Sequence, residues 1–221
     1  MRTLDRLLGA APDPSQPLVT YYDLSTGERV ELSTVTTANW VAKTSNFLVD
    51  ELEAAPGTRV RLGLPSHWLR AVWILSAWNV GAAVVDGAAD IGVSGPELEA
   101  DEPVRVAASL RPLGGRFPTP PTGFLDLGAE VPGHGDRFVA LDPPEPGTLA
   151  TDLDGATASH ADLLAGATPD PARRVVEPGT VARDVRLLVD ACLGGGSLVV
   201  VASATPEEID RVAQQEGGRL D

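Results

Sequence analysis

Between Ser66 and Val80 the chain places Trp68, Leu69, Val72, Trp73, Ile74, Leu75 and Trp78 on what reads as one helix, interrupted by Arg70, Ser76 and Asn79. Three of the four tryptophans of the whole chain lie there. A helix that is apolar all round has no face for water, so it must be covered on every side. Arg59–Leu64 precedes it and Ala82–Val85 follows it, two short apolar runs joined to the helix through Pro65 and Gly81. Strand, helix and strand with short links is the crossover unit of a parallel sheet. This stretch therefore demands an α/β architecture with the tryptophan helix between a sheet and other helices.

The flanks extend that pattern. Residues 18–32 read as a hairpin turning at Ser25-Thr26-Gly27, with Tyr, Val and Thr as strand formers. Ser33 caps a long helix to about Ala54. Its apolar stripe is Val35, Ala38, Val41, Ala42, Ser45, Leu48 and Leu52, and its water-facing stripe includes Asn39, Lys43 and Asn46. Residues 111–148 hold eight prolines and seven glycines, which predicts an irregular excursion with short strands at Gly123–Leu127 and Arg137–Leu141. Beyond it the alternation resumes. A hairpin turns at Asp154-Gly155. Ser159 caps a helix with Asp162 closing a capping box, and Thr180–Leu193 is amphipathic. Gly194–Gly196 ends that helix, Ser197–Ala202 is a strand, and Thr205-Pro206-Glu207-Glu208 starts a last helix. No sequence repeat is visible. The expected fold class is α/β: a three-layer-like, mixed but mostly parallel sheet flanked by helices, with an N-terminal β-hairpin. The expected domain is single, residues 1–221, made of halves 1–110 and 149–221 around the 111–148 segment.

Charge and composition exclude several functions. The chain has 221 residues, 17 basic and 31 acidic, and the excess acid is spread over both halves. Without a basic patch, nucleic acid and anionic membranes are poor partners. The N-terminus has Asp5 within its short apolar part, unlike a signal peptide, so a cytoplasmic protein is expected. The one cysteine, Cys192, excludes an internal disulfide or a multi-cysteine metal site. Of the 17 basic residues 16 are arginine, and Lys43 is the sole lysine.

Motifs of phosphate and nucleophile chemistry are missing. There is no GxxxxGK[ST] or GxSxG, and no GxGxxG after a strand. His67, His134 and His160 have no metal-ligand spacing, so no metal is expected. The candidate ligand-binding residues are those at strand ends and helix starts: His67, Asp86, Asp154 and His160. Each also has a plain structural reading. His67 and His160 read as cap-side residues, and Asp152 and Asp154 as turn residues in water. His134 reads as an exposed loop tip, and Cys192 as a buried thiol.

The order of segments resembles the N-terminal half of the large domain of adenylate-forming enzymes, which include acyl-CoA synthetases, peptide-synthetase adenylation domains and luciferases. Val30-Glu31-Leu32-Ser33 is similar to their helix entry, and Arg59–Ser66 (RVRLGLPS) to "DRVAI.LPNS". Ile74–Val85 (ILSAWNVGAAVV) resembles "LLA.L.AGAVVVPL", with Asp86 at the usual proline. Ser159–Leu164 (SHADLL) is similar to "THRNLL", and Leu193–Val201 (LGGGSLVVV) to "L..GG.VVLV". The chain also resembles short, truncated relatives of this kind found in high-GC bacteria, whose Ala, Gly, Pro and Arg richness it shares.

That resemblance implies a fold and argues against the family's activity. The family's phosphate loop, of the type TSGTTG-x-PKG, falls on Pro146–Gly155, where its Ser/Thr/Gly run is missing and Asp154 stands at the lysine. An aspartate there reverses the charge that ATP requires. The family's second catalytic lysine has no counterpart, since no lysine follows Lys43. The resemblance thus implies a non-catalytic binding, regulatory or interaction protein, with no catalytic residue and no cofactor, ATP and AMP included. It also implies a homodimer or a partner protein on the face that the missing half would cover. The rival expectation is a reduced ligase-like enzyme that binds an acyl group or a nucleotide and needs a partner chain.

Overall fold

A computed structural model of the chain describes residues 2–221. Its strands form two sheets instead of the single sheet expected, because hydrophobic pattern identifies strands but not their neighbours. The first sheet contains β1 (Pro17–Asp23), β2 (Glu28–Ser33), β10 (Arg173–Val176), β11 (Ser197–Ala202) and β12 (Arg219–Leu220), in the order β12-β10-β11-β1-β2. The second contains β3 (Arg59–Leu62), β4 (Ala83–Val85), β5 (Ile91–Ser94), β6 (Val104–Ala107), β7 (Leu125–Asp126), β8 (Leu149–Leu153) and β9 (Ala156–Ser159), in the order β7-β6-β5-β3-β4-β8-β9. Every pairing is parallel except β1–β2 and β8–β9. Mixed, mostly parallel sheets flanked by helices are what the sequence predicts.

The tryptophan helix α2 (Trp68–Asn79) lies between the sheets. It packs on β1 of one and on β3 and β4 of the other, and beside α1 (Thr34–Asp50) and α5 (Val181–Gly194). Trp68, Trp73 and Trp78 are fully buried. Each such side chain withdraws roughly 150–250 Å² from water, which makes this helix the main apolar contributor to the core. One hydrophobic cluster runs from Leu18 and Leu198 in the first sheet through Trp73 and Leu188 to Val60 and Val106 in the second. The outer face of the second sheet carries ion pairs. Arg59 and Arg61 of β3 point outward, where Arg59 pairs with Asp152 at 2.7 Å and Arg61 with Glu102.

Local sequence explains the helix ends. The Ser33, Ser159 and Thr180 side chains accept the first free N–H groups of α1, α4 (His160–Gly166) and α5, and Thr205 does so for α6 (Pro206–Glu216). Both expected capping boxes, Ser159 with Asp162 and Thr205 with Glu208, are formed. The cap of α2 is His67, in keeping with its cap-side reading, but the residue is buried and not in water. Gly195 ends α5 in the left-handed conformation, φ 73°. Gly194 and Gly196 lie so close to the backbone of Asp170 and Ala172 that no side chain would fit. The glycine run is therefore a helix end pressed against a neighbouring strand entry.

The structure contains a repeat that the sequence hides. Hairpin β1–β2 leads into the Ser-capped α1 at one sheet edge, and hairpin β8–β9 leads into the Ser-capped α4 at the edge of the other. Segment 111–148 is irregular, with β7 and the single-turn α3 (Leu127–Glu130) as its regular pieces. No strand forms at Arg137–Leu141. The α1 stripe expected to face water instead holds this segment. Lys43 Nζ donates to the carbonyls of Pro132 (3.1 Å) and His134 (2.6 Å), and Asn46 Nδ2 to those of Gly135 and Arg137 (both 2.9 Å). The reason is that an irregular segment carries carbonyls with no ladder partner, and side-chain donors supply one. His134, expected as an exposed tip, packs its ring on Phe47. Val35, expected in the apolar stripe, is 53% exposed.

Candidate functional site

The structure brings two of the four candidates together and leaves the other two apart. Asp86 follows β4, and Asp154 with Gly155 forms the tip of hairpin β8–β9. Their φ angles of 53° and 74° make this a two-residue turn of the type favoured between twisted antiparallel strands. The Asp154 backbone N–H donates to Asp86 Oδ2 at 2.6 Å, and the Asp86 N–H donates to the carbonyl of Asp152. Parallel pairing of β4 with β8, Val85 opposite Asp152, sets both contacts. The turn thus presents carboxylates, with its first N–H already bound.

His67 is 4% exposed at the start of α2. Its Nδ1 accepts the Leu69 N–H at 3.2 Å, which places the ring proton on Nε2. Nε2 is buried without a partner. The ring meets Tyr21 edge-on, centroids 4.4 Å apart, and borders a void of about 20 Å³ among Val19, Ile74, Leu188 and Val200. Such a void holds about one water molecule. Burial lowers the His67 pKa to about 4, so the ring is neutral near pH 7.

His160 is completely buried at the start of α4. Its Nδ1 accepts the Leu4 N–H at 3.0 Å and so fastens the N-terminal segment, whose Leu4 and Leu7 enter the core. Burial lowers its pKa to about 4 as well. No hydrogen bond or ring contact joins His67, His160 and the Asp86–Asp154 pair to one another. The Cys192 thiol is buried, and burial pushes its pKa up to about 12, which makes it unreactive.

One cluster escaped sequence reasoning. Arg70, 7% exposed, donates to Asp184 Oδ2 (2.6 Å), to Ser66 Oγ (3.0 Å) and to the carbonyls of Gly179 (2.9 Å) and Leu64. It ties the start of α2 to the start of α5. The signal was present, since Arg70 is the one charge in an apolar helix and must find an anion. Among the described residues no group of His, Cys, Asp and Glu could hold a metal ion, and no helix is long and apolar enough to cross a membrane.

No protein-family model matches the chain. The fold is that of acyl-CoA synthetases. It superposes on an acyl-CoA synthetase of Brucella canis with a TM-score of 0.77 at 15% identity, covering 99% of this chain and 46% of that one. It also superposes on the N-terminal domain of FACL13 from Mycobacterium tuberculosis with a TM-score of 0.73 at 12% identity, covering 98% and 61%. The chain thus spans about half the length of these solved structures. At the level of sequence it is 38% identical over 224 residues to a TIGR03089 family protein of Mycobacterium tuberculosis, covering 94% of this chain and 91% of that protein. The chain belongs to the TIGR03089 family, built on the fold of the N-terminal domain of acyl-CoA synthetases.

Proposed function

We propose that this protein is a non-catalytic relative of the acyl-CoA synthetases that acts by binding, regulation or contact with a partner, without forming adenylates. The observation that carries this reading is the Asp154 turn. Where the resemblance places a glycine-rich phosphate loop ending in a lysine, the chain makes a two-residue turn whose N–H is held by the Asp86 carboxylate at 2.6 Å. Phosphate binding needs several convergent free N–H donors and a cation, whereas this turn has one N–H already bound and carboxylates in place of the cation. The one lysine, Lys43, is committed to the carbonyls of Pro132 and His134.

The test is ATP–pyrophosphate exchange over a panel of short- to long-chain carboxylic acids, with calorimetric titration of ATP and AMP. Background exchange and no nucleotide heat are expected. Acid-dependent exchange overturns the reading and favours its rival, a ligase-like half completed by a partner chain. That rival draws support from a chain spanning half the length of the synthetase structures it matches.

The continuous core supports a single domain for residues 1–221. Val139 and Leu141, 84% and 100% exposed on segment 111–148, support association with a second copy or a partner protein. Sedimentation of the wild-type chain, compared with Val139→Ser/Leu141→Ser, would show loss of self-association. A concentration-independent wild-type monomer would exclude the homodimer.

A further inference from the structure

An open groove lies outside every candidate named above. It holds about 540 Å³ and lies beside β7, the edge strand of the second sheet, walled by residues of segment 111–130. That volume falls within the usual range for small-molecule sites. Phe117, Phe124, Pro120 and Pro121 form the walls. Aromatic and proline walls lose little conformational freedom when a ligand arrives.

Two guanidinium groups, Arg111 and Arg116, border the groove. In a chain with almost twice as many acidic as basic residues, most arginines are paired, as Arg59, Arg61, Arg70, Arg173 and Arg174 are. Among the described residues, Arg111 and Arg116 make neither an ion pair nor a side-chain hydrogen bond. A third arginine, Arg105, lies over the Phe124 ring, 5.3 Å from its centroid. Two acids also line the groove. Asp126 is spent on the loop itself, accepting the N–H groups of Phe117 (2.9 Å) and Gly128 (3.0 Å), and Glu130 stands exposed. Leu110 and Leu113, on either side of Arg111, hold φ values of 54° and 56°. Left-handed backbone at two bulky residues is strained, and such strain concentrates at binding sites.

We propose that this groove binds a small organic anion with a flat apolar body, an aryl carboxylate, sulfonate or phosphate. Arg111 and Arg116 hold the anionic group, and the ring lies against Phe117, Phe124 and the prolines. The site is independent of the Asp154 turn and does not require the non-catalytic reading.

The probe is 8-anilinonaphthalene-1-sulfonate, followed by fluorescence, with phenyl phosphate as a competitor and the uncharged N-phenyl-1-naphthylamine as a control. The full chain is expected to bind the sulfonate saturably, to release it to phenyl phosphate, and to bind more weakly as salt is raised. Arg111→Gln/Arg116→Gln alters two exposed, unpaired side chains, so unchanged far-ultraviolet circular dichroism is expected. Its sulfonate affinity should fall about tenfold or more, while the uncharged control is unaffected. Phe124→Ala should weaken both probes. Equal sulfonate affinity in parent and double variant, or absence of saturable binding, overturns the proposal. Neither outcome bears on pyrophosphate exchange, so the two readings fail separately.

Discussion

A buried neutral histidine links this fold to pH. His67 and His160 each hold a pKa near 4 because burial penalises the charged ring, whereas the unfolded chain titrates near 6.5. Below pH 6.5 the unfolded state binds protons that the folded state refuses, so stability falls as pH drops from 6.5 towards 4. Each residue contributes on the order of 3 kcal/mol to that loss across the window. Urea unfolding at pH 7, 6 and 5 should show this slope, and His160→Gln should remove about half of it. An unchanged slope in that variant would show that His160 is not a source of it. Both histidines were legible as helix-start residues. That each uses Nδ1 to accept a backbone N–H was not, because His160 finds its donor on Leu4, 156 residues away in the chain.

Helices and segments follow local rules more closely. The caps at Ser33, Ser159 and Thr205 were readable, since a cap concerns residues within one turn, while Thr180, read as the first helical residue, is the cap of α5. Ser159→Ala and Thr205→Ala should each cost about 1 kcal/mol, measured by thermal or urea unfolding. Short apolar strands such as β5, β6 and β10 were not assigned. Runs this short are told from loop only by their flanks, as β3 and β4 are by the tryptophan helix between them, and otherwise by lateral pairing. Segment 111–148 shows the opposite failure. Its apolar run at Phe138–Leu141 allows a short strand, yet none forms, and α1 fastens the segment by side chains. Lys43→Met removes two such bonds and should cost about 1 kcal/mol. Trypsin should then cleave faster after Arg137, and an unchanged rate would refute that tether.

Across the whole molecule, stability rests on α2 between the two sheets. Trp73→Ala should lower it by about 3–5 kcal/mol, because a large buried void remains. Asp184→Ala should cost a comparable 3–5 kcal/mol by leaving Arg70 buried without its anion. Arg70→Met/Asp184→Leu should recover much of that loss, since removing both partners of a buried pair is far less harmful than removing one. Equal instability of the double and single variants would rule out an unpaired charge as the cause.

The sequence by itself determined the α/β class, the capped helices, the burial of the tryptophan helix and the absence of a lysine-bearing phosphate loop. All of these depend on residue type and on periodicity within a few turns. Tertiary structure alone decided that there are two sheets, that Lys43 and Asn46 grip a distant segment, and that Asp86 closes the Asp154 turn. It also decided that His67 and His160 stand apart and that two unpaired arginines share an aromatic groove. These are matters of which strand lies beside which, and such pairings join residues whose separation in the chain carries no trace in local composition.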